Sequence, residues 1–239
     1  MVYPELEPAR SGRVVMERAL SLVEAYGRVD VPDIPLGKPS VSSPVISSYL
    51  AGLGADVIAH LRMQDHNMLS AKSIIKTLSY VGVRRILLLR GDPPRQGEPC
   101  SPYWQPEEAV GYARRYGLEA GLLLSPRRSL EDIEWRIRVG ADVYYVTRAS
   151  PSTAERISRI AGLVRRSGSA LAFYIVVSTG RNSEYLEQNS IPSVPVGMLG
   201  EFLGWAERLG ADRVILSSPG DGDALLGEVL EAVRRAGYR

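Results

Sequence analysis

The sequence is poor in the residues that build several kinds of protein chemistry. It holds one cysteine, Cys100, so no intramolecular disulfide forms and no thiolate metal cluster is available. It holds two histidines, His60 and His66, and no His/Cys spacing of a metal site. No apolar run reaches the roughly 18 residues of a membrane helix, and no membrane partner is expected. The net charge is only +2, which argues against a nucleic-acid partner. The first residues, Met1-Val2-Tyr3-Pro4-Glu5, lack the basic-then-apolar order of a signal peptide, and a cytoplasmic protein is expected. No Gly-x-Gly-x-x-Gly turn, linker or low-complexity stretch is present. Lysine occurs only at Lys38, Lys72 and Lys76, arginine carrying the other positive charges.

What is present is a repeat. Amphipathic segments end at Gly27, Gly54, Gly82, Gly117, Gly140, Gly168 and Gly210, and a short β-branched run follows each. A helix C-terminus favours glycine because the residue after it takes a left-handed backbone. The runs predict strands over 28–33, 56–63, 84–92, 119–124, 142–148, 170–178 and 213–219, with an opening strand near 2–7. Helices are expected over 11–26, 42–53, 67–81, 106–116, 129–139, 151–166, 196–209 and 221–236, and Ser129 with Asp132 reads as a helix-start pair. The runs Ile86–Leu89, Val143–Val146 and Phe173–Val177 are apolar on both faces, as in parallel strands covered by helices. Eight strand–helix units over 239 residues predict one (β/α)8 TIM barrel filling residues 1–239.

Sites on such barrels are built from strand C-termini and the loops after them. Polar groups collect there on the first four strands: Glu5 and Glu7, Asp33, then His60, Arg62, Gln64 and Asp65, then Arg90-Gly91-Asp92 before two prolines. The later strands end at Ser125, Thr147 and Arg148, Ser178 and Thr179, and Ser217 and Ser218. Asp33 and Asp65 read either as ligand groups or as rim residues, and Asp65 fits a cap for the next helix. His60, between Ala59 and Leu61, reads as a core histidine or a catalyst. Arg90 and Asp92 either pair with each other or grip a planar polar ligand, with Gly91 leaving room for that ligand.

These strings, in this order, resemble the methylenetetrahydrofolate reductase family, closest to the reductase half of fused homocysteine methyltransferase/folate reductase proteins. The resemblance runs through Val29–Pro39, Ala59–Asn67, Leu89–Pro94 and Ser178–Leu186, and the opening Glu5-Leu6-Glu7-Pro8-Ala9-Arg10 is similar to the family's first-strand signature. It implies a barrel that binds FAD, takes electrons from NADH or NADPH, and passes hydride to the methylene group of a reduced pterin. The pterin is 5,10-methylenetetrahydrofolate or a methanopterin analogue. By resemblance Glu5 is the general acid, Asp92 lies near the electron-poor edge of the flavin, and His60, Arg90 and Gly91 are flavin contacts. Ser125 and Arg136 stand near further flavin-contact positions, and Asp33, Gln64 and Thr147 near substrate. Departures are visible too. The family's Tyr-Pro-Glu-x-His stretch after the fifth strand is Leu124-Ser125-Pro126-Arg127-Arg128 here, and Thr147 replaces a glutamine. Two other readings stand beside the flavoenzyme: a flavin-free reductase using a nicotinamide directly, and a non-catalytic pterin-binding subunit of a larger complex. A homo-oligomer or a partner subunit is expected on general grounds.

Overall fold

The computed structural model describes residues 1–8 and 11–238. In chain order the elements are β1 (Val2–Pro4), α1 (Gly12–Tyr26), β2 (Arg28–Val31), α2 (Ser43–Gly52), β3 (Asp56–Arg62), α3 (Met68–Tyr80), β4 (Arg85–Leu89), α4 (Pro106–Arg115) and β5 (Glu119–Leu124). There follow α5 (Leu130–Arg138), β6 (Val143–Val146), α6 (Ala154–Ser167), β7 (Ala170–Ser178), α7 (Ser183–Gln188), β8 (Val194–Pro195), α8 (Leu199–Arg208), β9 (Arg213–Ser217) and α9 (Glu228–Arg235). Among the described residues the strands pair in parallel, and eight of them alternate with helices as a (β/α)8 barrel. The seven repeat glycines all take positive φ, as at Gly27 (φ 72°), whose N–H closes on the Val23 carbonyl. Ala9 and Arg10, the end of the first-strand signature, lie outside the described residues.

Contacts group the chain into two compact units, Pro8–Leu122 and Met1–Glu7 with Leu123–Arg239. In the first, β2, β3, β4 and β5 pair in sequence order. Side chains alternate across these strands. Val29, Val31, Val57, Ala59, Leu61, Ile86, Leu88, Ala120 and Leu122 share one face and are buried. The opposite face begins with charge: Arg85 pairs with Asp56 and, at 3.5 Å, with Glu119. Further along that face stand Asp30, His60 and Arg62, all buried. The apolar run Ile86–Leu89 is thus preceded in its strand by Arg85, which carries the ion pairs. In the second unit, β6 pairs with β7, β7 with β9, and β9 with β1. Phe173 stacks on Trp205 of α8, while Tyr145 and Tyr174 lie together on the other face, ring centroids 6.1 Å apart.

Several boundaries differ from expectation. The fourth strand stops at Leu89, because Gly91 takes φ 92° and turns the chain out of the sheet. The connection after β7 contains α7 and β8, too short to show a periodicity in sequence. The last helix is interrupted at Gly227 (φ −107°, ψ −115°), which separates a tight turn from α9. The cap of α3 is Asn67, whose side chain accepts the Ser70 N–H at 2.9 Å, rather than Asp65. Ser129 does accept the Asp132 N–H at 3.0 Å. Among the described residues no helix is long and apolar enough to cross a membrane.

Candidate functional site

In the unit Pro8–Leu122, the ends of β2, β3 and β4 are fastened to one another by the motif residues themselves. Asp33 follows β2 and is almost fully buried. One carboxylate oxygen accepts the Arg62 N–H at 3.1 Å, and the other faces the Ser43 N–H at 3.4 Å. Asp33 therefore joins the end of β3 to the first turn of α2, where a carboxylate is favoured by the exposed N–H groups. Ser43 completes the joint: its hydroxyl donates to the Val31 carbonyl at 2.7 Å and accepts the His60 N–H at 3.1 Å.

Arg62 is the central side chain. It is 1% exposed, and its guanidinium donates to the Asp92 carbonyl and pairs with Asp65 at 3.2 Å. The Gln64 amide donates to the same Asp92 carbonyl. A Cβ at Gly91 would collide with the Arg62 Nε and lie 2.5 Å from its Cγ and 2.6 Å from its Cδ. The expectation that Gly91 makes room for a ligand is corrected: the space belongs to Arg62. The second close approach is at Gly37 (φ 68°), where a Cβ would run into the Pro93 carbonyl. There the Arg95 N–H donates to the Gly37 carbonyl at 2.9 Å, tying the loop after β2 to the loop after β4. Between Asp33 and Gly37 the chain holds Ile34 at φ 45° and Leu36 at φ 58°, left-handed conformations that are strained for such side chains.

This fastening leaves two ionisable groups of the Arg90-Gly91-Asp92 string outward. Arg90 and Asp92 are both exposed, and among the described residues no ion pair joins them. The Arg90 guanidinium instead lies 5.9 Å from the Tyr103 ring centroid. His60 is engaged at Nε2 by Asp30 at 2.9 Å, both buried within the strands. Burial raises the pKa of Asp65, with Arg62 and His66 opposing and Asp33 adding to the rise.

In the other unit, Glu5 follows β1, half-buried, its N–H donating to the Leu216 carbonyl at 2.8 Å. Glu7 accepts the N–H groups of Gly220 at 2.6 Å and Gly222 at 2.7 Å, so it anchors the loop after β9. Ser125 and Thr147 are brought side by side, since both the N–H and the hydroxyl of Thr147 reach the Leu124 carbonyl, at 3.0 and 3.4 Å. Arg136 is not with them. It lies in the last turn of α5, where its carbonyl accepts the Tyr144 hydroxyl at 3.0 Å, at the level where β6 begins. The string after β7 also proves structural. Thr179 donates to Asp221 at 2.7 Å, and the Asn182 amide accepts the Thr179 N–H and donates to Val177, Ser218 and Pro219. Sequence reasoning missed Asp30, Ser43 and Gly37, and it passed over Arg62. Their one signal was membership of the motif strings or of the turn before a helix. Among the described residues no group of His, Cys, Asp and Glu could hold a metal ion.

Comparison with known proteins agrees with this layout. The family model described as Methylenetetrahydrofolate reductase matches residues 12–115, a stretch that contains the loops after β2, β3 and β4. No curated protein matches the chain. Among solved structures, the chain is similar to a tryptophan synthase complex from Pyrococcus furiosus, at 12% identity and TM-score 0.61, covering 100% of this chain and 96% of that one. Two mutant tryptophan synthase α-subunits from the same hyperthermophile are similar at 13% identity. Their TM-scores are 0.65 and 0.64, with 98% and 99% of this chain and 96% of each of theirs covered. At such identities the likeness concerns the fold alone.

Proposed function

We propose that this chain, as a protein of the methylenetetrahydrofolate reductase family, transfers hydride to the methylene carbon of a reduced 5,10-methylene-pterin to give the 5-methyl form. The family match supports the coarser statement, a folate-related reductase role. The observation that carries the finer reading is the pinned loop after β4. Two buried side chains, Arg62 and Gln64, hold its backbone, and the missing Cβ atoms of Gly91 and Gly37 allow the close packing, yet Arg90 and Asp92 remain exposed. Fixing a backbone so thoroughly beneath two exposed charges is how a ligand-binding constellation is preorganised.

In balance, NADH or NADPH and one proton convert the methylene-pterin to the methyl-pterin and oxidised nicotinamide. Glu5 is the proton donor to the pterin nitrogen as its ring C–N bond opens. By the resemblance, Asp92 supplies a negative charge that tunes hydride donation, and Arg90 and His60 contact the cofactor. The donor set fits FAD: an exposed guanidinium and an exposed carboxylate lie two residues apart on a rigid loop. When bound, FAD supplies the two-electron relay between the nicotinamide and the pterin. Asp33, Gln64 and Gly91 serve this reading by position, since their polar groups or their free volume are taken up by Arg62, Ser43 and Asp92. Thr147 lines the substrate end beside Ser125.

The test is the visible spectrum of the purified chain, followed by turnover of methylenetetrahydrofolate. Bound flavin is expected, and Glu5→Gln is expected to lower turnover about a hundredfold to ten-thousandfold with flavin content unchanged. Full turnover in Glu5→Gln refutes the assignment of Glu5. A second reading, the flavin-free reductase, is favoured by the sequence Ser125-Pro126-Arg127-Arg128, which lacks an aromatic or histidine. It predicts a colourless active protein that added FAD leaves unchanged.

A further inference from the structure

The outer side of α2 differs from that of every other α-helix among the described residues. Its inner stripe, Ser43, Ile46, Ser47 and Leu50, is buried over β2 and β3. The opposite stripe, Val45 and Tyr49 continuing into Leu53, recurs every four residues and is exposed. No charged residue occurs from Pro39 to Ala55, so α2 carries none, whereas each of the other described α-helices carries at least one. A helix without a charged side is one that a further surface covers.

The chemistry of the stripe narrows what covers it. Nucleic acid and anionic membrane surfaces are held by Lys and Arg, and α2 has neither. Tyrosine among aliphatic residues, with charge absent, is the make-up of the centre of a protein interface. Tyr49 is 50% exposed and Tyr80, at the end of the neighbouring α3, 82%. Two tyrosines so exposed keep on the order of 250 Å² in water. That is about a third of the roughly 800 Å² that each partner contributes to a stable interface. Val45, Leu53 and Val81, all exposed, extend the same apolar surface.

The flanks of α2 favour a second copy of the chain. Both α1 and α3 pack on α2. The exposed stripe of α1 runs through Glu17, Leu20 and Glu24, and that of α3 through Leu69, Ser73, Lys76 and Tyr80. Glu17 is paired with Arg13 at 2.8 Å, so the acid at the C-terminal end of that flank is Glu24. A two-fold axis parallel to α2 lays α2 along α2 and sets each α1 opposite the α3 of the other copy, acid against base. An axis across α2 sets like opposite like, Glu24 to Glu24 and Lys76 to Lys76. We propose that the chain forms a two-fold dimer in which α2 packs along α2 of a second copy, with Tyr49 near the axis and Glu24 of each copy facing Lys76 of the other. This surface is independent of the reductase reading.

The experiment is sedimentation equilibrium of the full chain over a concentration series, with the far-UV spectrum of each variant reporting its fold. Wild type is expected to be a dimer. Tyr49→Arg brings two guanidinium groups together at the axis and is expected to raise the dimer dissociation constant about thirtyfold or more, the loss of an interface hot spot. Leu53→Lys tests the same stripe at a second position. Trp135→Arg, at an exposed aromatic of α5 outside the patch, is the control and is expected to leave the dimer intact. Glu24→Lys and Lys76→Glu are each expected to weaken the dimer and, combined, to restore it. A tetramer that Tyr49→Arg reduces to a dimer also supports the proposal. A monomeric wild type, a dimer that Tyr49→Arg and Leu53→Lys both leave intact, or no restoration in the charge-exchanged double variant overturns it.

Discussion

Replacing Gly91 by alanine tests whether Arg62 is the reason for the glycine. Two costs are expected. A Cβ at φ 92° brings roughly 1–2 kcal/mol of backbone strain. The same Cβ enters the space of the Arg62 side chain, 2.5 Å from Cγ and 2.6 Å from Cδ. Arg62 is 1% exposed and held by Asp65 and the Asp92 carbonyl, so it has little freedom to withdraw. Overpacking of this kind costs about 1–3 kcal/mol. The sum is about 2–5 kcal/mol, which for a chain of this size lowers the melting temperature by roughly 4–20 °C. Gly27→Ala is the control: φ is 72° and nothing lies within 4 Å of its added Cβ, so only the strain is expected. Thermal and urea unfolding of both variants, with Arg62→Ala and the double variant Gly91→Ala/Arg62→Ala, completes a cycle. The double variant is expected to be less destabilised than the sum of the singles by about 1–3 kcal/mol. Equal costs for Gly91→Ala and Gly27→Ala, or no coupling to Arg62, refute the reasoning.

Other outcomes follow from single contacts. Glu7→Gln places an amide N–H against one of the two glycine N–H donors that Glu7 now accepts, and is expected to cost about 1–3 kcal/mol in urea unfolding at unchanged m. Asn182→Ala, at 1% exposure, strips partners from the Thr179 N–H and the Val177 carbonyl and is expected to cost at least about 2 kcal/mol, read as a shift in melting temperature. Asp65 has a folded pKa raised above 3.8, chiefly by burial, so the folded state binds its proton more tightly than the unfolded state. Its contribution to stability is complete below pH 3.8 and is lost as pH rises through the raised folded value. Asp65→Asn is therefore expected to gain stability relative to wild type between acid pH and neutrality, as measured by urea midpoints across that range. A difference independent of pH refutes the assignment.

Much of the fold is legible in the sequence because its determinants are local. A helix that ends at a left-handed residue selects glycine wherever it occurs, and the short β-branched run after each glycine follows from the same neighbourhood. That repeat alone specifies strand–helix alternation and the barrel class. Interruptions shorter than a helical period, such as α7 and the break at Gly227, left no such trace. The motif strings marked which loops matter, and the family match covers those after β2, β3 and β4.

What each motif residue does was decided only in three dimensions. Arg62 and Asp92 are 30 residues apart in the chain, and Asp33 and Arg62 are 29 apart. No local pattern states that Gly91 is empty for the sake of Arg62, or that the Asp33 carboxylate is consumed by backbone N–H groups. Arg136 shows the converse: near the right loop in sequence, it is carried to the far end of α5 by the helix's own rise of about 1.5 Å per residue. The sequence by itself determined the alternation and the loops that bear polar groups, because propensity and capping act over a few residues. The tertiary structure decided which of those groups hold the loops together and which, like Arg90 and Asp92, are left outward, because that depends on packing between strands that are distant along the chain.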